Sequence, residues 1–169
     1  ERKLWLMNGT AKGSEVSLGH VPVEWQIGGA ADFDGDGQSD ILWQNIVTGE
    51  CGMWLMDGAV RVGWGALGTV PPSWSMVGVG DFNADGDFDI VWQNSATGER
   101  KIWLMNGTNK GAEVSLGYVP LEWQIAGVAD FNADSGPDIL WQNTATGERG
   151  LWPMTGTVRS GWASLPRVP

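Results

Sequence analysis

At 169 residues, 42% of them hydrophobic, the chain can bury the core of one domain and is not a disordered acidic tail. Its formal charge of −10, from 20 Asp and Glu against 10 Lys and Arg, disfavours nucleic acid and anionic membrane, because counterion release and surface attraction both need a basic face. One cysteine, Cys51, permits no internal disulfide, and no apolar stretch of about eighteen residues or secretory h-region marks a span or a signal.

The chain begins inside a repeated motif without an initiator Met, which suggests a processed product or a piece of something longer. Leu4 to Thr10 and Val16 to Val21 read as two strands. Asn8-Gly9-Thr10 and Asn106-Gly107-Thr108 have the form of glycosylation sequons, but Asn-Gly is also an ordinary hairpin turn, which is the preferred reading. A strand beginning at Trp25 leads into Asp32-Phe33-Asp34-Gly35-Asp36-Gly37-Gln38-Ser39-Asp40. Acidic side chains at positions 1, 3, 5 and 9 of this glycine-bent loop converge, so their repulsion must be relieved by a hard cation with oxygen ligands. Calcium is the natural candidate. An apolar run ending in Trp43-Gln44-Asn45 follows, then Thr48-Gly49-Glu50, a third strand with Trp54 and a fourth with Trp64.

The loop returns as Asp81-Phe82-Asn83-Ala84-Asp85-Gly86-Asp87-Phe88-Asp89 and as Asp130-Phe131-Asn132-Ala133-Asp134-Ser135-Gly136-Pro137-Asp138, 49 residues apart each time. The loops hold 11 of the 20 acids, and three bound divalent ions would bring the charge from −10 to −4, so the metal belongs to the electrostatics of folding. A helix-loop-helix calcium site would need Glu at position 12. Trp43, Trp92 and Trp141 stand there instead.

A longer register lies over the first. Residues 1–31 match 99–129 at 24 of 31 positions, and Val60-Arg61-Val62-Gly63-Trp64 recurs as Val158-Arg159-Ser160-Gly161-Trp162, so two kinds of unit alternate with a 98-residue double period. Each unit reads as four short strands. In the last they are Trp123 to Ala129, Asp138 to Asn143, Gly150 to Met154 and Gly161 to Val168, with turns at Ala145-Thr146-Gly147-Glu148 and Thr155-Gly156. No window sustains a 3.6-residue apolar period. The pattern predicts an all-β chain, a β-propeller of four-stranded antiparallel blades with about three and a half repeats, divided as a half blade 1–24 and blades 25–73, 74–122 and 123–169. A β-solenoid would use shorter rungs. Three and a half blades leave open edges, so the chain is expected to be a fragment of a longer propeller or, as the less favoured alternative, to self-associate to complete a ring.

The loop pattern Asp-x-Asp/Asn-x-Asp-Gly-x-x-Asp between the first two strands of a repeating unit resembles the FG-GAP or VCBS-type repeat of integrin α-subunit propellers and bacterial secreted proteins. The Asp-Ile-Leu-Trp-Gln-Asn and Trp-Leu-Met-Asn-Gly elements are similar to its tryptophan-rich bacterial version. The resemblance implies up to three calcium ions. The first would be held by Asp32, Asp34, Asp36 and Asp40 with the Gln38 carbonyl, Gly37 supplying a left-handed turn. The second would use Asp81, Asn83, Asp85 and Asp89 with the Asp87 carbonyl and Gly86 at the bend. The third retains Asp130, Asn132, Asp134 and Asp138, but Ser135 replaces the glycine and Gly136 is shifted by one, so a weaker or distorted site is expected with Gly136 as the candidate carbonyl donor. A loop that supplies nearly all its own ligands leaves little room for substrate, so the ion is expected to be structural.

Ten of the twelve tryptophans recur in register: Trp25, Trp74 and Trp123 on first strands, Trp43, Trp92 and Trp141 on second, and Trp5, Trp54, Trp103 and Trp152 on third. They are read as packing between blades. Trp64 and Trp162 occur in one unit type only, on the outer strand, and are the candidate ligand-stacking residues. Gln44-Asn45, Gln93-Asn94 and Gln142-Asn143 read as amides that satisfy backbone groups. The only histidine, His20, corresponds to Tyr118, Cys51 stands in the place of Arg100 and Arg149, and no nucleophile elbow, phosphate loop or dinucleotide fingerprint appears. The resulting expectation is a non-catalytic, calcium-stabilised recognition or adhesion module, secreted or on the cell surface, with glycan as first partner and extracellular protein as second. A structural self-assembling repeat and the propeller domain of a polysaccharide-degrading enzyme are the remaining alternatives.

Overall fold

A computed structural model describes residues 1–166. The chain is all-β, and among the described residues no helix is long and apolar enough to cross a membrane. An N-terminal hairpin, β1 (Arg2–Asn8) with β2 (Ala11–Gly19), precedes three antiparallel four-stranded sheets. The first is β3 (Trp25–Ala31), β4 (Asp40–Asn45), β5 (Glu50–Asp57) and β6 (Val60–Thr69), paired in sequence order. The second is β7 (Trp74–Gly80), β8 (Asp89–Asn94), β9 (Glu99–Asn106) and β10 (Asn109–Tyr118). These meanders are consistent with a propeller-like fold, and among the described residues no sheet closes on itself.

The third sheet departs from the expected four continuous strands. It is built from β11 (Trp123–Ala129), β12 (Asp138–Asn143), β13 (Arg149–Trp152) and β16 (Ala163–Leu165), while β14 (Met154–Thr155) and β15 (Val158–Arg159) form a separate two-stranded ribbon. The break falls at Pro153, where the other units have Leu6, Leu55 and Leu104. Proline donates no backbone hydrogen bond, so the ladder ends there, and the Pro153 carbonyl instead accepts from the Ser160 N–H and hydroxyl, both at 2.8 Å. Trp162 consequently lies just ahead of β16 rather than on the outer strand. The rest of the expected fourth strand, Arg167 and Val168, lies outside the described residues.

Each first strand carries the same irregularity, between Ile27 and Gly29, Met76 and Gly78, and Ile125 and Gly127. Such bulges raise local twist. First strands of successive sheets pack on one another: a methyl group at Gly78 would fall 2.4 Å from Val128 Cγ2, a separation that only glycine tolerates. The alternation of β8 then sends its side chains to two cores. Ile90 and Trp92 join Phe33, Leu42 and Met53 of the first sheet, whereas Val91 joins Ile125, Ile139 and Trp141 of the third. A third cluster sets Ile41, Trp43 and Met56 against Leu18 of the N-terminal hairpin and Val21 just beyond it.

Amides and two guanidinium groups tie sheet to sheet. Gln44 Nε2 donates to the Trp74 carbonyl at 2.5 Å and its Oε1 accepts from the Met76 N–H at 3.2 Å; Gln93 Oε1 accepts from the Ile125 N–H at 3.1 Å in the same way. Asn45, Asn94 and Asn143 cap the following turns by accepting two backbone N–H groups each. Arg100, fully buried, donates to the Trp123 carbonyl at 2.8 Å, and Arg2 makes the equivalent bond to Trp25 at 2.8 Å.

Candidate functional site

Two sets of side chains stand out: the acidic loops that enter each second strand, and the indoles between the sheets. In the first loop the Asp32 carboxylate is wrapped by its own backbone, Oδ1 accepting from Gly35 and Asp36 N–H at 2.8 and 3.1 Å and Oδ2 from Gly37 at 2.8 Å. Gly37 adopts φ +88°, the left-handed conformation such a wrap demands. Two of these three bonds recur at each later loop, Asp81 accepting from the Asp85 and Gly86 N–H groups and Asp130 from those of Ala133 and Ser135. In the third loop Ser135 takes φ +73° where the others have Gly37 and Gly86, so the wrap is kept and Ser135 bears the steric penalty of a Cβ, about 1–2 kcal/mol. Gly136 therefore holds the register position of Gln38 and Asp87.

The last carboxylate of each loop is buried and structural in its own right. Asp40 accepts from the Phe33 N–H at 3.0 Å and from the Met56 N–H at 2.9 Å, joining the loop to the end of the third strand. Asp89 does so with Phe82 and Met105, and Asp138 with Phe131 and Met154. Burial pushes the Asp89 carboxyl above the usual range, opposed by those two N–H groups and reinforced by Asp85 and Asp81. Asp34 is also raised, by desolvation against the Asp36 N–H and with Asp40, Asp36 and Asp32 adding to it.

Oxygens of Asp32, Asp34 and Asp40 lie within 4.8 Å of one another, a group that could hold a metal ion, and among the described residues it is the one such set of three acids. Asp36 falls outside it, its Oδ1 accepting from the Gln38 N–H at 2.8 Å. In the later loops Asn83 and Asn132 take the place of Asp34, and their Nδ2 groups donate to Asp85 and Asp134 at 2.7 and 2.9 Å. An all-oxygen donor set on a strongly bent loop suits a hard cation. Outside the loop proper, Gln38 Nε2 donates to Asp57 at 3.0 Å and Asp87 Oδ2 accepts from Gly107 at 2.9 Å, so both side chains fasten the third-strand hairpin tip.

Most in-register tryptophans pack as expected. Trp43, Trp92 and Trp141 are buried, and each meets a third-strand indole in a tilted pair with centroids 4.8, 4.5 and 4.6 Å apart to Trp54, Trp103 and Trp152. Trp5 is the exception at 57% exposed, because β1 pairs with β2 alone and carries no inner strands to cover it. Its indole N–H donates to Glu15 at 3.0 Å.

Trp64 and Trp162 are brought into two matching cavities. One, of about 390 Å³, is walled by Trp25, Trp43, Trp54 and Trp64 together with Arg61 and His20. The other, of about 310 Å³, repeats it 98 residues on with Trp123, Trp141, Trp152, Trp162, Arg159 and Tyr118. Trp25 meets Trp64 edge to face at 5.8 Å and 87°, and Trp123 meets Trp162 at 5.3 Å and 90°. Room for the outer indole comes from the glycine beside it: a Cβ at Gly52 would fall 2.2 Å from Trp64 Cζ2, and one at Gly150 2.2 Å from Trp162 Cζ2. The guanidinium of Arg61 lies 4.9 Å from the Trp54 ring centroid, and that of Arg159 lies 4.8 Å from Trp152.

Sequence reasoning singled out the two tryptophans but missed Arg61 and Arg159. The signal was in the 49-residue register. Where the first and third sheets have Gly52 and Trp64 or Gly150 and Trp162, the hairpin and the second sheet have Lys3 and Glu15 or Lys101 and Glu113. Those pairs are ion-paired at 2.5 and 2.9 Å.

A family model described as an FG-GAP-like repeat matches residues 81–141, from the first aspartate of the second loop to the tryptophan of β12. Neither a curated protein nor a solved structure matches the chain.

Proposed function

We propose that this chain is a calcium-stabilised, non-catalytic segment of an extracellular β-propeller that recognises carbohydrate through its indole-walled cavities. The observation that carries the reading is the pair of equivalent cavities, each with four tryptophans at its wall. Aromatic faces with polar atoms at the rim suit a pyranose, which presents an apolar C–H face and a polar edge. Asp32, Asp34 and Asp40 would hold calcium in the first loop, with Asp36 and the Gln38 carbonyl completing the set by the family pattern. The later loops would use Asp81, Asn83, Asp85 and Asp89 with the Asp87 carbonyl, and Asp130, Asn132, Asp134 and Asp138 with that of Gly136. Bound calcium relieves the repulsion among carboxylates that the folded loop forces together.

The non-catalytic reading is supported by the state of the two residues most able to act as nucleophile or base. Cys51 is buried with its thiol pushed up to about 12, and His20 has no carboxylate, hydroxyl or thiol hydrogen-bonded to it among the described residues. FG-GAP repeats are typical of extracellular proteins, where millimolar calcium would fill such loops.

A glycan array on the full chain tests recognition. Binding that Trp64→Ala and Trp162→Ala weaken supports it, and an array without signal refutes it. Thermal unfolding with and without a chelator tests the metal: calcium is expected to raise the midpoint, and an unchanged midpoint would remove it from the account. The exposed strip Trp5, Leu6 and Met7 on β1 favours a second reading, docking to another protein, which predicts partner binding that survives sugar competition.

A further inference from the structure

The exchange of an ion pair for a glycine and a tryptophan leaves a cation without its counter-charge. In the N-terminal hairpin Glu15 accepts from Lys3 Nζ at 2.5 Å, from Lys12 Nζ at 3.2 Å and from Trp5 Nε1 at 3.0 Å, so one carboxylate bridges two ammonium groups and an indole N–H. In the second sheet Glu113 likewise receives Lys101 and Lys110, and the Lys101 ammonium lies 4.4 Å from the Trp74 ring centroid. Arg61 and Arg159 occupy the places of Lys12 and Lys110, and Trp54 and Trp152 those of Trp5 and Trp103. Where Glu15 and Glu113 supplied the carboxylate, Trp64 and Trp162 stand instead. Arg61 spends its Nε on the Gly63 carbonyl at 3.2 Å, and among the described residues its terminal nitrogens donate to no acceptor. Arg159 is paired with no carboxylate among the described residues, and its guanidinium lies 4.8 Å from the Trp152 ring centroid.

We infer that each cavity binds one carboxylated pyranose, a hexuronic acid residue, whose ring lies against the indoles and whose carboxylate gives Arg61 or Arg159 the counter-charge that Glu15 and Glu113 give Lys12 and Lys110 in the alternate units. The inference rests on the carbohydrate reading above and names its ligand class. Volumes of about 390 and 310 Å³ stand at the small end of ligand pockets, so each holds a single ring rather than a length of chain. Arg rather than Lys suits the task, because its planar fork matches a carboxylate with two parallel hydrogen bonds while its face stays on the indole. Two equivalent cavities in one chain also favour a polymer carrying repeated uronates, through effective concentration.

The test uses the full chain in isothermal titration with two trisaccharides of equal length, trigalacturonate and its neutral counterpart galactotriose. Trigalacturonate is expected to bind at two sites per chain, about tenfold or more tighter than galactotriose, the range a charge-assisted bidentate pair provides. The preference should shrink as salt rises. The double variant Arg61→Gln and Arg159→Gln should lose that preference while keeping its near-ultraviolet tryptophan spectrum, and Arg61→Lys with Arg159→Lys should recover part of it. Equal binding of the two sugars, abolished by Trp64→Ala with Trp162→Ala, would overturn the anionic ligand and leave carbohydrate recognition standing. Binding of neither sugar at millimolar concentration would overturn this assignment, and with it galactose-type recognition, while the glycan array judges carbohydrate binding as a whole. A uronate preference that survives removal of both arginines would overturn the assignment by itself.

Discussion

At the scale of single residues, burial changes the chemistry of groups that look ordinary in the sequence. Cys51 replaces a guanidinium, its Sγ donates to the Gly49 carbonyl at 3.3 Å, and desolvation lifts the thiol from 9.0 to about 12. The folded thiol thus keeps its proton between pH 9.0 and about 12 where the unfolded chain has lost it, and rising pH over that window favours unfolding. The unfolding free energy from urea titrations is expected to fall from pH 9 to 11, by up to about 1 kcal/mol per pH unit, and Cys51→Ala should flatten that slope whatever its absolute stability. Iodoacetamide should leave the native thiol unlabelled at pH 8. Asp89 makes a different case, since both its oxygens accept backbone N–H groups. Asp89→Asn keeps the volume but turns one acceptor into a donor, so it should cost about 1–3 kcal/mol in denaturant titrations run with a chelator, where metal affinity plays no part. Asp85→Asn, on the exposed part of the same loop, should cost far less under those conditions.

At the scale of elements, the sheets are variants of one meander distinguished by a pair of neighbouring positions on the third and fourth strands. Trp64 needs Gly52 because its ring occupies the space of a Cβ, and Glu113 needs Lys101 as its ion partner. Neither half makes sense alone. Glu113→Trp should destabilise the chain by setting an indole on the Lys101 stem, and Lys101→Gly should strip Glu113 of one of its two partners. Together they should convert the second sheet to the other type, with a favourable coupling of about 0.5–3 kcal/mol in a double-mutant cycle of unfolding free energies. Additive effects would show that the glycine does not make room for the ring.

For the whole molecule, cover decides stability. The second sheet has neighbours on both faces, and every residue of β8 is buried, while the N-terminal hairpin packs through one face and leaves most of β1 and β2 exposed. Phe131 shows the same effect at the other side: its counterparts Phe33 and Phe82 are 2% and 1% exposed beneath the next sheet, and Phe131 is 45% exposed. Opening free energies should follow this order. Amide hydrogen exchange is expected to be slowest in Asp89–Asn94 and fastest in Arg2–Asn8 and Ala11–Gly19, and uniform protection across the sheets would contradict it.

Local information was legible in the sequence because it is written in short, repeated chemistry. The 49-residue spacing, the alternation of apolar residues and the Asp-Gly bends announced four-stranded units and the loops that enter their second strands, and a strand needs little beyond its own pattern and a turn to be recognised. Pro153 was equally visible, yet the split it causes depends on a ladder hydrogen bond with another strand. What tertiary structure alone decided was which faces are covered and which charges are paired. Trp5 and Trp103 occupy the same register position, and only the sheets on either side expose one and bury the other. Arg61 reads as an ordinary surface cation until strand pairing sets it over Trp54, with an indole in the place of the glutamate that answers its counterparts. Periodicity along a chain specifies conformation, whereas burial and charge balance arise from neighbours far away in sequence.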